Sequence, residues 1–345
     1  MGVQLGGLVE ARKVAIEDLA GRSVAFDGHN ILYQFLAIIR GRDGRPLRDR
    51  EGRVTSHLSG LIYRNSNLIE AGINVAYVFN GRPHQFKKKV IKERSQARRE
   101  ARAKYEVALR EGKAEEAKIY AQRAATVSTD IISDAKRLLT LMGIPWVQAP
   151  GEGEAQSSYM ATRGDVWGAA SQDFDSLLYG APLLLRNLSI TGRRRLPRKN
   201  VYIRIEPEMI ELARFLGELD ITMEQLIDIG ILVGTDYNPD GVKGIRPKTA
   251  LKLIKRHGSL DRALPHIKNA QFPHPLDEIK QLFEEPRITD DYSLEWSPPD
   301  VDGIVSFLCG ERDFDRGRVL KAVEKISKGY SRDRQRTTLD RWFIP

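Results

Sequence analysis

Two hydrophobic patterns alternate along the chain and predict alternating strands and helices. Short, nearly continuous apolar runs are typical of buried strands, whereas apolar residues every three or four positions are typical of helices. The predicted strands are residues 23–28, 73–79, 144–147 and 166–170, and the main predicted helices are 30–39, 55–72, 129–142, 155–161 and 223–233. This order favours an α/β fold with a mostly parallel, twisted central sheet and helices on both faces.

Acidic residues recur where the predicted strands end or the following helices begin. Flanked by small residues, they are Asp27, Glu152, Glu154, Asp173, Asp175 and Asp236. The carboxyl edge of an open α/β sheet is where ligands bind. Helix capping explains a single acid in such a place, at about 0.3–1 kcal/mol each. Capping does not explain the recurrence, and we expect the acids to share one site.

Several carboxylates in one site require cations. Two like charges about 4 Å apart repel by about 4 kcal/mol at an effective dielectric of about 20. Carboxylate oxygens select hard cations, Mg²⁺ or Mn²⁺, over zinc. Two such ions about 3.5–4 Å apart are a common device for phosphodiester cleavage. The acids therefore predict a two-metal hydrolytic centre.

Basic residues dominate between residues 82 and 123, where fourteen Lys and Arg face six Glu. Apolar residues are too sparse there for a core-facing stripe, so we expect one or two exposed helices. A solvated face with i,i+4 ion pairs is the alternative. The excess of positive charge in this segment, which directly follows a predicted strand, favours contact with phosphates.

Overall charge and cysteine content agree with a polyanionic partner and a reducing compartment. The chain of 345 residues carries 55 Lys and Arg against 46 Asp and Glu, a net charge of +9, and one cysteine, Cys309. An excess of this size favours nucleic acid. The N-terminus lacks the apolar core of a signal peptide and no run is long enough to span a membrane, so we expect an intracellular protein.

Two further basic clusters and a distinct C-terminal segment complete the pattern. Residues 193–199 are a candidate hairpin tip, and residues 241–250 form a Gly-rich turn between two predicted helices. Residues 1–328 are predicted as one domain and residues 329–345 as a flexible tail. Within the tail, Leu339, Trp342 and Phe343 share one helical face, which favours docking into a partner's pocket over folding back onto the domain.

The ordered motifs of the chain resemble those of archaeal flap endonucleases, which are structure-specific 5′ nucleases. The motifs are Phe26-Asp27, Tyr33-Gln34-Phe35-Leu36, Thr55-Ser56-His57-Leu58, Tyr77-Val78-Phe79-Asn80-Gly81, Gly151-Glu152-Gly153-Glu154-Ala155-Gln156, Ser171-Gln172-Asp173-Phe174-Asp175 and Gly234-Thr235-Asp236-Tyr237-Asn238. The resemblance implies a PIN-like 5′-nuclease fold, a helical arch over about 82–125 and a helix-hairpin-helix-type DNA-binding element over about 223–258.

The resemblance also assigns roles in the active site. It implies one Mg²⁺ near Asp27, position 80, Glu152 and Glu154, and a second near Asp173, Asp175 and Asp236. Lys87 and Arg94 would reach the scissile phosphate. Tyr33 would stack on the base beside the cut, or lie in the core. Thr55 would line a pocket for a one-nucleotide 3′ flap, or act as a helix N-cap.

Outside the active site, the resemblance implies a K⁺ ion in the turn between the two helices, beside duplex DNA. The basic residues there are Lys243, Arg246, Lys248 and Lys252, although a plain helix-packing joint is the alternative. The tail would bind the sliding clamp (PCNA) through Leu339, Trp342 and Phe343. Arg336 stands where the family usually has Gln. The protein is expected to act as a monomer.

Position 80 departs from the family pattern, because Asn80 stands where the resemblance implies a metal-binding Asp. It is either a deliberately weakened variant or natural tolerance, and Asn-Gly is also a favourable turn dipeptide. We expect the substitution to preserve the fold and DNA binding and to lower the cleavage rate.

The function expected is Mg²⁺-dependent cleavage of 5′ flaps at junctions of single-stranded and duplex DNA, in replication and repair. A 5′ exonuclease or a junction resolvase is the alternative within the enzyme class. A non-catalytic junction-binding protein with a degenerate metal site is the alternative outside it.

Overall fold

The computed structural model describes the backbone of residues 2–41, 44–189, 192–195, 202–268 and 270–343. It confirms an α/β fold with a seven-stranded central sheet in the order β1-β9-β6-β5-β2-β3-β4. The strands are β1 (Arg12–Lys13), β2 (Ser23–Asp27), β3 (Asn74–Phe79), β4 (Trp146–Gln148), β5 (Gly168–Ala170), β6 (Leu183–Arg186) and β9 (Glu208–Glu211). Strands β4, β3, β2, β5 and β6 are parallel, and β9 adds to the edge antiparallel to both β6 and β1.

A separate hairpin pairs β7 (Gly192–Arg195) with β8 (Tyr202–Ile205) in antiparallel fashion. Three arginines of the predicted basic cluster lie on β7. Residues 196–199, the rest of that cluster, lie outside the described residues.

Helices cover both faces of the sheet. They are α1 (Gly28–Ile38), α2 (Ser56–Glu70), α3 (Lys88–Arg110), α4 (Ala114–Arg123), α5 (Thr129–Leu141), α6 (Gly153–Thr162), α7 (Asp175–Leu178), α8 (Leu212–Leu219), α9 (Met223–Val233), α10 (Pro247–His257), α11 (Leu260–Ala263), α12 (Leu276–Glu284), α13 (Val301–Val305) and α14 (Arg316–Phe343). A π-helical turn (Ser306–Gly310) follows α13, and single 3-10 turns occur at Glu17–Leu19, Gln85–Lys87 and Leu264–His266.

Alternation along the strands explains the two covered faces. Phe26 and Tyr77 pack with α1, α2, α5 and α14 on one side, and their neighbours Ala25 and Val78 pack with Met160 of α6 on the other. Because successive side chains of a strand point to opposite faces, a continuous apolar run supplies both cores.

The basic stretch after β3 forms two helices, α3 and α4, that pack against each other. Their contact uses alanine: Ala101, Ala108, Ala117 and Ala121 are buried. Two helices that meet through methyl groups need no large apolar residues. This explains why the sequence shows no core-facing apolar stripe in this region. Arg40 donates a hydrogen bond from Nη2 to the Ala121 carbonyl at 2.7 Å, which ties α4 to α1.

The C-terminal helix α14 continues past the predicted domain boundary at residue 328 without a break. Gly329 is buried, and a Cβ at that position would lie 2.2 Å from the carbonyl oxygen of Ile69. The chain therefore still packs on α2 at a position that was assigned to the tail. The side chains of residues 333–345, including Arg336, Leu339, Trp342 and Phe343, lie outside the described residues. Among the described helices, none is long and apolar enough to cross a membrane.

Candidate active site

Four adjacent parallel strands deliver the predicted acids to one edge of the sheet. Asp27 ends β2, Asn80 follows β3, Glu152 and Glu154 follow β4, and Asp173 and Asp175 follow β5. Because β5, β2, β3 and β4 are neighbours, their carboxyl ends meet. The structure thus places these residues at the same edge of the sheet.

Asp236 reaches the same site by another route, since it follows helix α9 rather than a strand. Gly234 adopts φ of +112°, which turns the chain back toward the sheet. Asn238 then fixes the turn: its Oδ1 accepts from the Thr235 hydroxyl at 2.6 Å and its amide donates to the Ile231 carbonyl at 2.6 Å. The prediction that every acid follows a strand or opens a helix was wrong for Asp236.

Three of the carboxyl groups are buried close to other acids. Burial, reinforced by Asp173 and Glu152, raises the pKa of Asp27 from 3.8 to about 7. Burial, reinforced by Asp236, likewise raises the pKa of Asp175 to about 7. For Glu154, burial and the neighbouring Asp175 raise the pKa well above its usual value. The acids thus repel one another and lack sufficient positive charge.

Two basic residues from the start of α3 supply part of that charge. Lys87 Nζ lies 2.8 Å from Glu152 Oε2 and 3.1 Å from Asp236 Oδ2. Arg94, two helical turns further on, places Nη2 2.6 Å from Asp236 Oδ1. Burial alone would raise the pKa of Asp236, but Lys87 and Arg94 hold it below its usual range. Lys87 and Arg94 therefore lie against carboxylates of the acid site.

Asn80 lies within the acid site and uses its side-chain oxygen internally. Oδ1 accepts a hydrogen bond from the Gly153 N–H at 2.7 Å, and the Asn80 N–H donates to His29 Nδ1 at 3.1 Å. Burial lowers the pKa of His29 to about 4, which keeps that ring neutral and able to accept. A Cβ at Gly153 would lie 2.6 Å from Asn80 Oδ1, so glycine is required for this close approach.

Several residues that orient the acids were missed by the sequence analysis. The Asn30 amide donates to Asp173 Oδ2 at 3.0 Å, the Ser171 hydroxyl donates to Glu154 Oε1 at 2.8 Å, and the Val3 N–H donates to Asp175 Oδ1 at 2.7 Å. Gly2 lies beside the same carboxylate, where a Cβ would approach Asp175 Oδ2 to 2.2 Å. Asn30 could have been found, because it stands three residues after Asp27 on the first turn of α1. No local pattern identifies Val3.

The oxygen donors of the acid site suit the metal ions that the sequence predicts only in part. Among the described residues, no three His, Cys, Asp or Glu side chains are close enough to hold one ion as they stand. Burial, reinforced by repulsion between the acids, raises the pKa values of Asp27, Glu154 and Asp175. Hard divalent cations, which carboxylate oxygens prefer, would offset both effects. In the present arrangement, Lys87 and Arg94 take the place of such cations at Glu152 and Asp236.

Tyr33 and Thr55, the other predicted contacts near the cut, differ in exposure. Tyr33 on α1 is 39% exposed, so it is not a core residue. Thr55 stands at the N-cap position of α2, but its side chain makes no capping hydrogen bond and is buried. The neighbouring Ser56 hydroxyl instead accepts from the Leu47 N–H at 2.8 Å and donates to the Ile39 carbonyl at 2.6 Å.

The turn between α9 and α10 carries the second predicted DNA contact. Lys243, Arg246, Lys248 and Lys252 are all exposed, and Arg246 is the N-cap of α10. None of the four forms an ion pair with another described side chain. Four free cations beside a helix N-terminus suit phosphate groups.

Comparisons with known proteins agree with this geometry. Residues 1–101 match the XPG N-terminal domain and residues 143–236 match the XPG I-region. The flap endonuclease 1 of Thermococcus onnurineus is 52% identical over 343 residues, 99% of each chain.

Solved structures extend the agreement to the fold. Flap endonuclease-1 from Methanococcus jannaschii superposes with a TM-score of 0.76 at 44% identity, covering 96% of this chain and 99% of that one. The catalytic core of Rad2 in complex with a DNA substrate shares the fold, with a TM-score of 0.69 at 22% identity over 93% of this chain and 97% of that one. With its acids at the carboxyl edge of the sheet and full-length identity of about half to named relatives, the chain belongs to the flap endonuclease 1 family.

Proposed function

We propose that this chain is a structure-specific endonuclease that cleaves 5′ flaps at junctions between single-stranded and duplex DNA, with 5′–3′ exonuclease activity, in replication and repair. The observation that carries the proposal is the contact of Lys87 with Glu152 and Asp236, and of Arg94 with Asp236, beside the acids that follow the strands. Such a site combines carboxylates that can bind divalent metal ions with two basic side chains that can bind a phosphate. The names of the relatives supply the branched substrate.

Mg²⁺, or Mn²⁺ in its place, would be held by Asp27, Glu152, Glu154, Asp173, Asp175 and Asp236. When bound, two such ions supply an activated water and stabilise the leaving oxygen of a phosphodiester. The protein's own groups then have separate tasks. Lys87 and Arg94 exchange their carboxylate partners for the scissile phosphate, and the exposed ring of Tyr33 stacks on a base beside it.

Asn80 weakens this site in our proposal. Its oxygen accepts from the Gly153 N–H, so the second side-chain atom is an NH₂ group that offers no lone pair to a metal. Aspartate would keep the same hydrogen bond and add an anionic oxygen. The fold is expected to be the same for both residues, because the hydrogen bond that shapes the loop needs only one acceptor.

The deciding experiment is single-turnover cleavage of a labelled double-flap DNA by the chain and by its Asn80→Asp variant at matched Mg²⁺. We expect the variant to cut roughly 10²–10⁴-fold faster, equivalent to about 3–5 kcal/mol at 1.36 kcal/mol per tenfold. Equal rates would show that position 80 is not a ligand. Failure of both proteins to cut, with tight junction binding, would favour a non-catalytic junction-binding protein. Preference for blunt ends or four-way junctions would favour the sibling activities.

DNA and partner contacts outside the acid site belong to the same proposal. Lys243, Arg246, Lys248 and Lys252 contact duplex phosphates, with a K⁺ ion at the turn between α9 and α10. Thr55 borders the site of a one-nucleotide 3′ flap. The protein acts as a monomer, and the C-terminal segment with Arg336, Leu339, Trp342 and Phe343 binds the sliding clamp.

A further inference from the structure

An aromatic stack covers the base of helix α3. The ring of His274 lies on Phe86 with centroids 3.7 Å apart and planes 6° apart. Phe86 belongs to the 3-10 turn Gln85–Lys87 that immediately precedes α3, and it is only 8% exposed. A residue nearly two hundred positions away therefore packs on the residue that directly precedes Lys87.

The stack continues from Phe86 to the acid site. His84 meets Phe86 edge-on at 4.6 Å and Tyr237 edge-on at 6.3 Å. The Lys87 ammonium lies 5.2 Å from the centre of the Tyr237 ring. Since Tyr237 directly follows Asp236, these contacts connect the residues just before α3 to the segment that carries one of the acids.

The chain after α12 makes a second contact with the same region. Arg287 Nη2 donates to the Arg82 carbonyl at 2.6 Å, just before the stack begins. A Cβ on Gly151 would lie 3.3 Å from the Arg287 carbonyl oxygen, and the Gly151 carbonyl accepts from the Gly81 N–H at 2.7 Å. Arg287 thus joins the start of the basic helices to the loop that leads into Glu152.

A third contact fixes this chain segment to the helix that carries the acids. Gln156 of α6 is fully buried, and its amide exchanges two hydrogen bonds, both 2.9 Å, with the N–H and carbonyl of Thr289. A buried amide that is satisfied by one backbone residue holds that residue in register. The segment is therefore anchored to α6 and contacts the base of α3.

We infer that residues 272–292, here named the brace, position Lys87 against Glu152 and Asp236, with His274 and Arg287 as positioning residues. The inference rests on the proposed phosphodiester cleavage and adds a structural requirement to it. The base of α3 has exposed polar surface on its outer side and depends on the brace for packing. Because a displacement of about 1 Å at a catalytic group can cost about 10²-fold in rate, loss of the brace acts on catalysis while leaving the DNA-binding turn intact.

The test uses His274→Ala and Arg287→Ala, each in the full chain and in the Asn80→Asp background. His274→Phe keeps the stack and serves as the rescue variant. His266→Ala is the matched control, since His266 stacks on His257 at 4.3 Å outside the brace. The measurements are steady-state cleavage over a range of DNA concentrations, which gives kcat and KM, DNA affinity, melting temperature, and amide hydrogen exchange of residues 85–92 without DNA.

We expect His274→Ala to lower kcat by about 10–100-fold with KM and DNA affinity unchanged, and to speed exchange at residues 85–92. His274→Phe and His266→Ala should match the parent. Faster exchange without loss of kcat would show that the stack is only a packing contact and would overturn the positioning role. Unchanged exchange together with unchanged kcat would also overturn it. If His274→Ala does not fold, Arg287→Ala decides, because that side chain is exposed. If neither the chain nor its Asn80→Asp variant cuts a flap, the proposed function is refuted. Amide hydrogen exchange at residues 85–92 would then still show whether the brace stabilises the base of α3.

Discussion

The acid site and the turn between α9 and α10 are both highly charged, but they compensate their charge differently. In the acid site the carboxylates are buried or partly buried, lie close to one another and are partly neutralised by Lys87 and Arg94. In the turn, the four cations are exposed and form no ion pair with a described side chain. Buried charge resists solvent screening and changes pKa values, whereas exposed charge interacts at longer range and is screened by salt. Substitutions in the first should alter rate, and substitutions in the second should alter affinity.

The largest effect that tests this contrast comes from Lys87→Ala/Arg94→Ala. Without them the proposed site of the scissile phosphate loses two positive charges, and we expect the single-turnover rate to fall by at least about 10²–10³-fold. Duplex affinity, measured by fluorescence anisotropy, should change little. The matched control Arg214→Ala/Lys328→Ala removes two charges from exposed i,i+4 ion pairs and should have neither effect. A loss of affinity alone would make the start of α3 a binding surface.

A smaller and different effect is expected for Lys243→Ala/Arg246→Ala/Lys248→Ala. Each lost phosphate contact should make the slope of log affinity against log salt shallower by about 0.9. Cleavage of fully bound substrate should be unchanged, because these residues do not contact the acids. Titrations at several salt concentrations measure the slope. An unchanged slope would favour the plain helix-packing joint.

The pH dependence of stability tests the burial of the acid site without any substitution. Asp27 and Asp175 have folded pKa values of about 7 against 3.8 in the unfolded chain. Between these values the folded state binds more protons, so these groups lower the free energy of unfolding as pH rises from about 4 to about 7. Divalent cations should reverse that loss. The increase in melting temperature on replacing EDTA by Mg²⁺ should therefore grow with pH over this window, and a constant increase would contradict the proposed ligands.

The smallest effect on either region is predicted for Trp342→Ala/Phe343→Ala. Loss of two aromatic contacts, at roughly 1.5–3 kcal/mol each, should abolish a micromolar clamp complex. Melting temperature and clamp-free cleavage should stay as they are, and Arg336→Gln should tighten clamp binding. Calorimetric titration with the clamp measures both variants. A large fall in melting temperature with clamp affinity unchanged would assign these rings to the core.

Local patterns predicted the α/β fold, and they placed most of the acids directly after strands, because both features depend on nearby residues. The runs at 23–28 and 73–79 became β2 and β3 almost residue for residue. Strand β1 was missed because its two residues are exposed and carry no apolar run. The alanine contact between α3 and α4 was missed because small residues contribute little to a hydrophobic pattern. Contacts that depend on distant segments, such as Val3 with Asp175 or His274 with Phe86, leave no periodic trace in either partner.

The close approach of Gly2 and Val3 to Asp175 has a practical consequence for protein production. An affinity tag joined directly before these residues would start beside a carboxylate of the active site. Tagged and untagged preparations could then differ in activity although both fold normally. A removable tag that leaves no residue behind avoids the problem.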